Sequence, residues 1–70
     1  MITLTDKHGE AMTMTPRESL VGWKHYGEDY DECMTGLLIA IDGDMLTIET
    51  APGGDRITLP ADEVWSEGTL

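Results

Sequence analysis

The chain has 70 residues, 40% of them hydrophobic and none of them Phe, which suits one domain with a thin core and is too apolar for a disordered segment. A chain this short buries only about 60% of the surface its unfolded form exposes, so the core is expected to draw on Trp23, Trp65, Tyr26, Tyr30 and five Met, with a partner or dimer mate able to add burial. The formal charge of −10, from 14 acids against 4 bases, is the reverse of the balance by which proteins displace counterions from phosphates, so direct nucleic-acid binding is disfavoured and a cationic partner favoured.

Ile2-Thr3-Leu4-Thr5 and Met12-Thr13-Met14 alternate apolar and polar residues around the turn-forming Lys7-His8-Gly9-Glu10, and this predicts a first hairpin. Thr15-Pro16-Arg17-Glu18 carries a capping-box pattern, with Thr at the cap, Pro at the first helical position and Glu three residues on. A short helix over about residues 16–24 is therefore expected, with Leu20 and Trp23 on its buried face. Glu28-Asp29-Tyr30-Asp31-Glu32 follows, in its plainest reading a solvated loop joining helix to strand.

Asp42-Gly43 lies between two apolar runs and suits the centre of a two-residue hairpin turn. That turn pairs Ile41 with Asp44, Ile39 with Leu46 and Leu37 with Ile48, placing Leu37, Ile39, Leu46 and Ile48 on one buried face. Pro52-Gly53-Gly54-Asp55 forms the next turn, and alternation resumes at Ile57-Thr58-Leu59 until Pro60 stops it. Ala61-Asp62-Glu63-Val64-Trp65 reads as one helical or 3₁₀ turn that docks Val64 and Trp65. GEAMTMTPRESL and GDRITLPADEV echo each other faintly, and a strand ended by proline suffices to account for both. The expected fold is all-β: a small five-stranded antiparallel meander or SH3-like barrel with one short helix, monomeric or homodimeric.

MITLTDKHGE, AIDGDMLTIETAP and ITLPADEVW resemble the first and later strands of the carbon storage regulators, small RNA-binding translational regulators. The resemblance covers about half of the chain and implies a five-stranded, strand-exchanged dimer with residues 15–35 as an insertion between the second and third strands, and RNA contacts from arginines in the first strand and at the start of the last helix. Asp6 stands where that family carries its first arginine and Ala61 where it carries a later one; only Lys7 agrees.

Residues 1–27 balance Asp6, Glu10 and Glu18 against Lys7, Arg17 and Lys24, so the whole net charge falls in residues 28–70, where 11 acids face Arg56. As a calcium loop the acidic stretch places Asp29 and Asp31 suitably but puts Cys33 and Met34 where a further ligand and a glycine belong; no metal or other cofactor is expected. His8, His25 and Cys33 lack a third residue at a telling spacing, and no catalytic residue is assigned. The single cysteine fits a reducing compartment, and with no apolar run of membrane-spanning length the expectation is a cytoplasmic protein.

Tyr30 is of the residue type enriched at interface hot spots, and Glu28, Asp29, Asp31 and Glu32 around it suit an Arg- and Lys-rich groove, with Asp42, Asp44, Glu49 and Asp55 extending the negative surface. Carboxylates spaced along a sheet imitate backbone phosphates. The expected function is thus binding of a basic, nucleic-acid-binding protein, as an inhibitor or nucleic-acid mimic; the alternative is an RNA-binding regulator of the carbon-storage-regulator type. In style, though in no motif, the chain is similar to small phage-encoded inhibitors such as anti-CRISPR proteins.

Overall fold

The computed structural model describes residues 2–50 and 54–70. Seven strands run in chain order: β1 (Ile2–Thr5), β2 (Ala11–Met14), β3 (Ser19–Tyr26), β4 (Asp31–Asp42), β5 (Met45–Glu49), β6 (Arg56–Pro60) and, after a 3₁₀ turn at Ala61–Glu63, β7 (Val64–Thr69). β6-β5-β4-β3-β7 form one five-stranded antiparallel sheet, and β1-β2 form a separate hairpin. The edge strands β6 and β7 do not pair with each other, so the expected barrel does not close. Residues 15–35, an insertion under the family resemblance, supply β3 and the start of β4, two interior strands.

The first hairpin forms in the expected place, with Ile2 opposite Met14 and Thr5 opposite Ala11. Asp6 shapes its turn: the carboxylate accepts the backbone N–H of His8 at 2.8 Å and of Glu10 at 2.9 Å. The Lys7 N–H then donates to the Val64 carbonyl at 2.9 Å, tying the hairpin to the sheet. Met12 and Met14 are thereby buried in the main core with Val21, Trp23, Leu38, Leu46, Ile48, Ala61 and Val64.

The expected helix at 16–24 is absent. Glu18 and Ser19 both donate backbone N–H groups to the Thr15 carbonyl, at 3.1 and 3.0 Å, and the Ser19 hydroxyl accepts from the Thr15 N–H, so the capping-box residues close a tight turn. Arg17 sits at φ 70 within it, a left-handed conformation that interrupts a helix. From Ser19 onward period two prevails over the helical spacing: Val21 and Trp23 are buried, whereas Leu20 is only half-buried. Val21 and Trp23 suit a pleated surface backed by β4, and this tertiary pairing overrides the local helix signal. The two proline-containing echoes each become strand, turn, strand: β2 to β3 and β6 to β7.

The β4–β5 hairpin also forms, with its turn centred one residue later than expected, so that Leu46 opposes Ile41 and not Ile39. Asp42 pairs with Met45 and Ile41 with Leu46, leaving Gly43 and Asp44 as the central turn residues. Gly43 has φ 65 and Asp44 does not have positive φ, the pattern of a type II′ turn rather than the type I′ expected. Further down, the register shifts between Leu38 and Ala40, which makes Ile39 a bulge. Leu38 therefore opposes Ile48 and is buried, while Leu37 is only half-buried. Leu46, Ile48 and Ile39 are buried as expected.

The turn expected at Pro52-Gly53-Gly54-Asp55 lies partly outside the described residues; across it the Thr50 N–H and hydroxyl both donate to the Asp55 carbonyl. β6 covers Ile57 to Leu59 as expected, and the 3₁₀ turn docks Val64 into the core. Trp65 is half-buried, and the chain then continues as a strand, β7, that the sequence did not suggest.

Candidate functional site: an acidic ribbon and a basic groove

β7 accompanies β3 only from Ser19 to Trp23, and β5 accompanies β4 only from Leu37 to Asp42. Beyond those limits β3 and β4 pair with each other alone, Lys24 with Cys33, His25 with Glu32 and Tyr26 with Asp31. The Gly27 N–H closes the tip by donating to the Tyr30 carbonyl at 3.1 Å. The result is a two-stranded ribbon, and every residue from Lys24 to Cys33 is exposed. Glu28, Asp29, Tyr30, Asp31 and Glu32 thus stand together, but on a hairpin arm and its tip rather than on a loop after a helix.

Tyr26 and Tyr30 are each 67% exposed, so the core does not use them. Their place in it is taken by methionines and by Trp23. Lys24 is the ribbon's one Lys or Arg: its Nζ lies 3.5 Å from Asp31 Oδ2 and 5.7 Å from the Tyr26 ring centroid. An exposed ion pair of this kind contributes little to stability. Among the described residues Glu28, Asp29 and Glu32 have no ion-pair partner, and with His25, Gly27 and Tyr30 they line a depression of 220 Å³ at the tip.

The other four expected residues do not join this surface. β4 is 12 residues long, so Asp42 lies at its far end from Asp31, about 36 Å along an extended strand. Asp44 is at that same far end, where its carbonyl accepts the Ala61 N–H. Glu49 faces Arg56 across β5 and β6 at 3.7 Å, and Asp55 is exposed at the start of the same strand pair. The negative surface is therefore divided, with its densest part on the ribbon.

A second surface had no counterpart in the sequence reading. Between the β1–β2 turn and the β3–β4–β7 face lies a groove of 650 Å³ into which Lys7, His8, Lys24 and Trp65 converge. Lys7 Nζ is 5.9 Å from the Trp65 ring centroid and the His8 ring is 6.2 Å from it, inclined by 38°. Gly22 makes the seat for Trp65, because a Cβ there would fall 2.3 Å from the indole nitrogen. The indole N–H donates to the Glu67 carboxylate. Strand pairing sets residues 24 and 65 on β3 and its neighbour β7, and the Lys7 N–H bond to the Val64 carbonyl brings the β1–β2 turn beside them; the one hint of their meeting was a tryptophan just after the 3₁₀ turn.

Of the positions marked by the family resemblance, Asp6 is buried with its carboxylate occupied by two backbone amides, Ala61 is buried in the 3₁₀ turn, and Lys7 is exposed at the groove. No family model matches the chain, and neither the curated proteins nor the solved structures contain a match to it.

Proposed function

We propose that the chain is a small acidic binding protein whose β3–β4 ribbon engages a basic partner protein, one that itself binds nucleic acid. The observation that carries this is the ribbon's composition against its burial: two tyrosines at 67% exposure and four carboxylates on an arm from which the core takes nothing. Tyrosine supplies large contact area with few rotors to immobilise, and the surrounding carboxylates steer a cationic surface toward it. A ribbon of this width can enter a groove that otherwise accepts a nucleic-acid strand, with Glu28, Asp29, Asp31 and Glu32 in the place of phosphates. Binding there excludes the nucleic acid, so the consequence for the partner is inhibition.

The test is capture from a lysate of the source cell at low salt, comparing the wild-type chain with Asp29→Lys/Tyr30→Ala. The wild type should retain a basic nucleic-acid-binding protein that raised salt or added nucleic acid releases, and the variant should not. Absence of any basic protein, or equal capture by both chains, would remove this function. Retardation of a GGA-containing RNA hairpin by the chain alone would replace it with direct RNA regulation.

A further inference from the structure

We infer that the groove beneath the β1–β2 turn binds a small planar ring bearing an anionic group, with Trp65 as the stacking platform and Lys7 and Lys24 as the anion's partners. Its volume of 650 Å³ falls within the range of about 300–1,000 Å³ usual for small-molecule sites. The chain has only 4 Lys and Arg against 14 acids, yet two of those four, together with His8, line this one concavity. A scattered solubility coat would not gather them.

Two ammonium groups, Lys7 and Lys24, open onto the groove beside the carboxylates of Asp6 and Glu10, and it is these that an anion would meet in a chain of net charge −10. Among the described residues no carboxylate lies within ion-pair distance of Lys7 or His8. Asp6 and Glu10 also line the cavity; Asp6 is buried, and its Oδ1 accepts the two backbone amides of its own turn. Lys7 instead holds its ammonium over the Trp65 ring, 5.9 Å from the centroid, with its N–H donors free for a ligand; as an exposed side chain it swings aside when a ring stacks. Lys24, whose ammonium also lies 3.5 Å from Asp31, lines both this groove and a neighbouring depression of 210 Å³ that it shares with Lys7, Asp62 and Glu63, so an anion binding Lys24 competes with Asp31 for it.

The platform is built before any ligand arrives. Trp65 lies on the backbone of Gly22 and its indole N–H is held by Glu67, so little rotational freedom remains to be lost on stacking. A ring on this indole with its anion toward Lys7 and Lys24 uses each of these features. A bare anion would leave Trp65 without a role, and a neutral ring would leave both lysines without one.

Two sources of this chemistry are a nucleoside monophosphate and an aromatic carboxylate, so adenosine monophosphate and 4-hydroxybenzoate serve as probes, with adenosine and inorganic phosphate as controls. Binding is followed by the shift of the Trp65 indole N–H in nitrogen-edited NMR spectra, with the backbone amides of the remote β4–β5 turn, Gly43 and Asp44, as internal reference. At least one probe should shift the Trp65 signal saturably while neither control does, and the responding probe identifies the source. Lys7→Gln should weaken that binding about tenfold, the usual effect of losing one charged contact, and Trp65→Leu should weaken it similarly, read from backbone amides of Lys24 and Cys33. Because Lys7 is exposed, its variant remains informative should the Trp65 variant fail to fold. No saturable shift with either probe, an equal response to inorganic phosphate, or unchanged affinity in Lys7→Gln would overturn the assignment.

Discussion

β3 and β4 are one pair of strands with two fates. Where they are flanked by β7 and β5, Val21, Trp23 and Leu38 are buried, and pairing is reinforced by apolar surface removed from water. From Lys24 to Cys33 the same ladder continues with no flanking strand and no buried side chain. A two-stranded ribbon is marginal by itself in water, so the outer segment is held in shape by the inner one. The inner segment bears the fold, and the outer one is free to vary without loss of core packing, as the proposed function requires. Its charges also guard its open edges against pairing with another chain.

This contrast ranks the consequences of substitution. Leu38→Ala removes a fully buried side chain from the flanked segment and should cost about 2–5 kcal/mol, enough to unfold much of so small a domain at ambient temperature; chemical denaturation will show it. Gly43→Val places a β-branched residue at φ 65 and should cost about 1–3 kcal/mol, seen as a lower midpoint with an unchanged slope if the register survives. Asp6→Ala leaves two turn amides without their charged acceptor and should cost about 1–2 kcal/mol, with faster amide exchange at His8 and Glu10. In the ribbon, Tyr30→Ala should move stability by no more than about 0.5 kcal/mol. Amide exchange in the intact protein should follow the same division, the Lys24 to Cys33 amides opening well before those of Val21 and Met34.

Alternation made β1, β2 and β6 legible, because one face of each packs on the core and the other meets solvent. The helix expected at 16–24 came from Thr15-Pro16-Arg17-Glu18, a pattern that serves a tight turn equally well; the choice was made by β4, which lies far along the chain. Leu37–Ile41 is a continuous apolar run, and such a run carries no parity from which a bulge at Ile39 could be read. β7 is polar after Trp65, with Ser66, Glu67 and Gly68, as an edge strand can be, and so gave little signal. The acidic stretch was visible by composition, but its strand geometry was not, since that geometry is imposed by the continuation of β3 and β4. Of the groove only Trp65 drew notice in the sequence, because the residues that meet there are so widely separated.

The central claim is that the ribbon serves a partner and not the fold. It is tested most directly by taking Asp29→Lys/Tyr30→Ala, measuring its melting temperature against the wild type and applying both chains to the basic protein that the wild type captures. The account predicts a melting temperature within a few degrees of wild type, as expected for a surface change of about 0.5 kcal/mol in a small domain, together with loss of capture. A collapse in melting temperature, or capture undiminished in a variant that melts like the wild type, would contradict it.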